Sequence, residues 1–136
     1  MDKKETSAPS WPQVIATPQA PPAIGPYSQA LRVGPWLYCS GQLPLHPQEG
    51  ALVGADLASQ TEQALRNLQS VVEAAGGHLA QVVKTTCFLK DLSQFAAFNR
   101  VYAQFFPAPA PARSAVEVQE LPKGALVEIE AIAYLG

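Results

Sequence analysis

The sequence predicts an α+β domain in which one sheet carries two helices on a single face, and three observations lead to it. Apolar positions recur at helical spacing in two stretches, one after Asp56 and one after Asp91. Runs with β-branched or alternating character flank and separate those stretches. A chain of 136 residues with 48% hydrophobic and 15% charged residues fits one domain around one core.

Met1 to Pro12 mixes Asp2, Lys3, Lys4 and Glu5 with Ser and Pro and has no apolar centre. Residues 1–14 are therefore expected to form a flexible extension ahead of a domain over 15–136. Thr17 to Pro26 is rich in Pro and Ala, and each Pro fixes φ and removes a backbone donor, which predicts an extended lead-in. Gln29 to Val33 and Trp36 to Ser40 are short β-leaning runs parted by Gly34-Pro35, the pattern of a hairpin that reaches a second turn at Ser40-Gly41. His46 to Gly54 reads as loop.

Asp56 has the chemistry of an N-cap, and Leu57, Ala64, Leu65, Leu68, Val71, Val72 and Ala75 follow at helical spacing until Gly76-Gly77 supplies the stop. Val82 to Leu89 is β-branched and apolar, interrupted by Lys84. Asp91 or Ser93 then caps a second helix bearing Phe95, Phe98, Val101, Tyr102 and Phe105, which Phe106-Pro107 ends. Pro107 to Pro111 alternates Pro and Ala as a stiff connector before strand patterning resumes at Ser114 to Val118 and Ala125 to Leu135. The order is ββ-α-β-α-ββ. With both helices on one face, the other face has no cover within the chain, which predicts a closed assembly of identical subunits with clefts between them.

Composition narrows the function. A net charge of −2 without a Lys/Arg cluster argues against nucleic acid, whose binding is driven by neutralised phosphates. Cys39 and Cys87 lie far apart with no metal-ligand spacing and no secretory segment precedes them, which points to free thiols in a reducing cytoplasm. His46 and His78 are the only histidines, too few for a His-based metal site. No apolar run reaches membrane-spanning length.

Chemistry gathers at the end of the chain. Ala125, Val127, Ile129, Ala131 and Ala133 line one face of the last strand, while Leu126, Glu128, Glu130, Ile132 and Tyr134 line the other. Two carboxylates thus stand about 7 Å apart on one side, where they could be a solvated face or include a general base raised in pKa by burial. If Leu121 to Gly124 turns the chain directly back, Glu117 falls near Glu128 and Arg113 near Ile132. Arg113 follows the rigid Pro111-Ala112, and its guanidinium could grip a carboxylate with two parallel hydrogen bonds.

Five words recur in order between Ile15 and Tyr134: Ile24-Gly25-Pro26-Tyr27-Ser28-Gln29-Ala30, Ser40-Gly41-Gln42, Val83-Lys84-Thr85-Thr86, Pro111-Ala112-Arg113-Ser114 and Glu128-Ile129-Glu130-Ala131. Together they resemble the Rid family of reactive-intermediate imine deaminases, of RidA/YjgF type. The resemblance implies a chorismate-mutase-like fold, a homotrimer with active sites between subunits, and hydrolysis of 2-aminoacrylate, 2-iminopropanoate and 2-iminobutanoate to 2-oxo acids and ammonia without a cofactor. It assigns Arg113 to the substrate carboxylate and Glu128 to the attacking water. Tyr27, Ser40, Gly41 and Asn99 match positions around the pocket, and Ala115 stands where some relatives carry Cys, keeping the backbone N–H while losing the thiol. Two other readings stay open: a binding module for a small carboxylate without turnover, and an RNA-cleaving translation inhibitor, which would need a basic surface.

Overall fold

The computed structural model describes residues 11–136. Of the expected extension, residues 1–10 lie outside the described residues. Gln13 and Val14, at its other end, join strand β1 (Gln13–Ile15), which pairs antiparallel with β2 (Ala30–Val33) through Gln13–Arg32 and Val14–Leu31. The remaining elements are β3 (Trp36–Gln42), helix α1 (Leu57–Ala74), β4 (Val82–Leu89), helix α2 (Phe95–Phe105), β5 (Ala112–Glu117) and β6 (Val127–Tyr134).

The capping expected of α1 is present at both ends. Asp56 accepts from the Ser59 backbone N–H at 2.8 Å. At the other end Gly76 N–H donates to Glu73 and Gly77 N–H to Val72, the double bond of a Schellman cap, with Gly76 at φ +87° where a side chain would be strained. Asp91 caps a short 3-10 turn, Leu92–Gln94, that leads into α2.

The strands form one six-stranded sheet in the order β1-β2-β3-β6-β4-β5, antiparallel except for the parallel pair β4–β5. Val127, Ile129, Ala131 and Ala133 of β6 face inward and are buried with Leu65, Leu68, Val71 and Val72 of α1 and Phe98 and Tyr102 of α2. On the opposite face Trp36, Tyr38, Val116 and Tyr134 stay exposed, each between 39% and 48% accessible. The sheet therefore has one helix-covered face and one open face, as the sequence predicts.

Two expectations need correction. Ser40-Gly41 is not a turn: β3 runs on to Gln42, with a shift in its pairing to β6 between Cys39 and Gln42. Nor do β5 and β6 form a hairpin, because β4 lies between them. Arg113 pairs with Thr85 and Glu117 with Leu89 on β4, whose Thr85 and Leu89 pair in turn with Ala131 and Val127 on β6. The cause is the β4–α2–β5 unit, a helical crossover that brings its second strand back parallel to its first. Val118 to Leu126 is long enough to step over the end of β4, and Lys90 N–H donates to the Leu126 carbonyl as it passes.

Candidate functional site

Glu128 projects from the open face of β6 and is half-buried. It lies against Gly41, whose missing side chain is what admits it: a Cβ at position 41 would stand 2.8 Å from Glu128 Cδ and nearer still to Oε2. Burial pushes the Glu128 carboxyl above the ordinary carboxylate value, and the like charge of Glu130 adds to the shift. A cavity of about 490 Å³ opens beside it, shared by Glu128, Tyr27, Ser40 and Gly41. Its remaining wall is largely aliphatic, including Ile24, Leu43 and Leu45, with Lys123 at φ +60° on the rim.

Two buried amide side chains hold that wall in place. Proline removes donors from the lead-in, leaving its carbonyls to be satisfied from elsewhere. Gln29 does this, donating from Nε2 to the carbonyls of Thr17, Ala20 and Pro21 while Oε1 accepts from Thr17 N–H at 2.6 Å. Across the cavity Asn67 of α1 donates to the carbonyls of Leu43 and Leu45, both at 2.9 Å. Ser40 ties the lead-in to β3 by donating from Oγ to the Ser28 carbonyl at 2.6 Å. Neither Gln29 nor Asn67 was singled out by the sequence reading. For Gln29 the usable signal was a lone amide following a proline-rich segment that has carbonyls to spare.

Arg113 belongs to a different region. It sits on the edge strand β5 with its guanidinium carbon 5.1, 5.7 and 4.8 Å from the ring centroids of Phe95, Phe98 and Tyr102 on α2. Its Nη1 donates to Asn99 Oδ1 at 2.8 Å. Ion pairs among the described residues are Arg66–Glu62 and Lys90–Glu120, so no carboxylate neutralises Arg113 there. Ala115, two residues along β5, packs against the core from the same face.

The expected site residues thus fall into two groups. Tyr27, Ser40, Gly41 and Glu128 share the cavity; Arg113, Asn99 and Ala115 meet along α2 and β5. Arg113 lies on the helix-covered face, level with Thr85 and Ala131, whereas Glu128 alternates onto the open face. The placement of Arg113 beside Ile132 by a direct turn is therefore not observed. With β4 between their strands, Arg113 and Glu128 are also about 10 Å apart across the sheet and, three residues out of register, about 10 Å apart along it. The described residues of one chain present a base-like carboxylate in a hollow and, on an edge, a cation with no ion-pair partner among them, without joining the two.

Other chemistries find little material. Among the described residues no group of three His, Cys, Asp or Glu side chains is placed to hold a metal ion, and no helix is long and apolar enough to cross a membrane. Cys39 and Cys87 are unpaired and buried, and desolvation pushes their thiols up to about 12 and about 11, so neither is a thiolate nucleophile near neutral pH.

Comparison with known proteins adds independent information. A family model described as Endoribonuclease L-PSP matches residues 17–135. A RutC family protein of Pyrococcus horikoshii is 51% identical over 122 residues, covering 90% of this chain and 97% of its own. The human protein named 2-iminobutanoate/2-iminopropanoate deaminase is 46% identical over 124 residues, covering 91% of this chain and 90% of its own. Among solved structures, that of E. coli TdcF with bound serine superposes with a TM-score of 0.86 at 43% identity, covering 91% of this chain and 99% of its own.

Proposed function

The chain belongs to the YjgF/RidA family, and from that premise we propose that it hydrolyses 2-imino and 2-enamino acids, such as 2-iminopropanoate and 2-iminobutanoate, to 2-oxo acids and ammonia. The observation that carries this reading is a pair of available charges: a raised-pKa carboxylate in a cavity and, on the sheet edge, a guanidinium with no ion-pair partner among the described residues. Because they lie on opposite faces of one sheet, a site that uses both draws on more than one subunit, and the family resemblance makes that assembly a homotrimer. Glu128, Tyr27, Ser40 and Gly41 come from one subunit, and Arg113, Asn99 and Ala115 from the next. The exposed aromatic residues of the open face favour such an assembly, since apolar surface without a covering helix gains by burial against another copy.

In this site the Arg113 fork binds the substrate carboxylate and fixes C2 beside the Glu128 cavity. Glu128 accepts a proton from water as the C–O bond forms at C2 and the C=N π electrons move to nitrogen. Glu128 passes that proton to the nitrogen, giving the carbinolamine, and then relays a second proton to it from the carbinolamine hydroxyl; the C=O bond forms as the C–N bond breaks, and nitrogen leaves as ammonia. An enamine enters the same path after protonation at C3. No cofactor is needed, and the cytoplasm is the compartment proposed for the reaction.

Adding the protein to an amino-acid oxidase that generates 2-iminopropanoate should accelerate ammonia release, and Arg113→Ala should abolish the acceleration. No acceleration by the wild type overturns the deaminase reading. Binding of a small carboxylate without turnover is then the reading that remains, supported by the serine held in the TdcF structure. The RNA-cleavage wording of the family description gains no support from a chain with 9 Lys and Arg against 11 Asp and Glu. Binding to RNA that weakens steeply with salt would revive it.

A further inference from the structure

We propose that Phe95 and Tyr102 of α2 are positioning residues, which hold the Arg113 guanidinium charged and oriented for a carboxylate from outside the subunit. This rests on the reading of Arg113 as the substrate-carboxylate group. Phe95, Phe98 and Tyr102 recur at i, i+3 and i+7, so their rings form one stripe along the helix. Phe95 and Phe98 are stacked at 5.9 Å and Phe98 and Tyr102 are tilted at 5.5 Å, giving a continuous aromatic surface beside the guanidinium. All three ring centroids lie within 6 Å of its carbon, the range in which ring quadrupoles attract a cation.

A carboxylate partner would have fixed the same side chain and neutralised it. Rings fix it and leave the charge available. Among the described residues Asn99 occupies one of the five N–H donors, and they leave the planar fork that matches a carboxylate to be filled.

Tyr102 links the aromatic surface to the backbone that carries Arg113. Its hydroxyl shares a buried 2.6 Å hydrogen bond with Thr85 Oγ1, and Thr85 is the β4 residue paired with Arg113. Ring, strand and guanidinium are thereby referred to one anchor. Asn99, between Phe98 and Tyr102 in the sequence, sets the rotation of the fork from the same helix.

The test measures 2-oxobutanoate binding to the full chain by calorimetry, alongside KM and kcat for ammonia release. Half-buried Phe95 can be shortened with little risk to the core. Phe95→Leu should raise Kd and KM about tenfold with kcat within twofold of wild type, whereas Phe95→Tyr should restore both constants. Tyr102→Phe keeps the ring but frees it from Thr85, and should raise Kd about threefold. An unchanged Kd in Phe95→Leu overturns the proposal, as does a loss of kcat at constant KM. A wild type that binds no 2-oxobutanoate overturns it too. A wild type that binds 2-oxobutanoate yet releases no ammonia sinks the deaminase reading alone, and the Phe95→Leu loss of binding would still support the aromatic platform.

Discussion

Glu128 and Arg113 are both half-buried charged groups without an ion-pair partner among the described residues, yet the chain treats them in opposite ways. Glu128 is set in a hollow whose apolar wall and neighbouring Glu130 disfavour its charge, so its proton affinity is raised. Arg113 is set on aromatic faces that attract its charge. The first environment suits a group that must take up and release a proton; the second suits a group that must stay ionised and hold still. Each region contains what the other lacks, and the sheet keeps them apart.

Separating the two residues into different chains is the most direct way to break that comparison. Arg113→Ala should lower kcat/KM on the order of a thousandfold through loss of orientation, and Glu128→Gln should lower kcat by about 10²–10⁴-fold through loss of the base. Trimers reassembled from equal amounts of the two variants should nevertheless recover about a quarter of wild-type activity, the fraction of interfaces in a random cyclic trimer that pair an intact Glu128 with an intact Arg113. A mixture as inactive as its components would mean that both residues act from one chain, contrary to their placement.

A smaller intervention sharpens the same contrast from within the Glu128 region. Gly41→Ala places a methyl group where the Glu128 carboxyl now lies, at a backbone position with no positive φ to strain. Displacement of the base by about 1 Å should cost about 10–100-fold in kcat, with Kd for 2-oxobutanoate held near wild type because Arg113 is untouched. A rise in Kd matching the fall in kcat would show that the two regions are not separable. Asn67→Leu acts on the wall instead. Leaving the Leu43 and Leu45 carbonyls without their donor should lower stability by about 1–3 kcal/mol in chemical denaturation.

What the sequence disclosed follows the same division. The Glu128 face was legible because a strand has a period of two, and β6 obeys it, with Val127, Ile129, Ala131 and Ala133 buried and Glu128 turned away. Helix α1 was legible because Asp56 and Gly76-Gly77 carry local capping chemistry. The Arg113 region was misread because β5 and β6 are neighbours in sequence but not in the sheet; strand pairing is a non-local property that turn residues such as Pro122 and Gly124 do not decide. A reading of β4–α2–β5 as a parallel crossover would have put Arg113 under α2. It would also have made Phe95, Phe98 and Tyr102 more than core residues. The short strand β1 escaped because its three residues gain their structure only by pairing with β2.

The finest test is the response to pH, which should touch the Glu128 region and leave the Arg113 region unchanged. A base must be ionised to accept a proton, so kcat should rise with pH through the raised pKa of Glu128 while KM stays flat. Burial is the larger cause of that elevation and Glu130 the smaller, so Glu130→Gln should move the acid limb of the profile to lower pH without abolishing it, and should change the plateau little. Stability has the opposite dependence. With its folded pKa above the unfolded value, Glu128 contributes most below the ordinary carboxylate range, and that contribution is lost as pH rises through the folded pKa. Glu128→Gln should therefore gain on the wild type in denaturant as pH rises through that range. Asp56 and Asp91 run the other way, since hydrogen bonds from Ser59 and Ser93 lower their values and the stability they supply is lost as pH falls. A pH–rate profile of Glu130→Gln that superimposes on the wild type would assign the acid limb to a group other than Glu128, and with it the role of base.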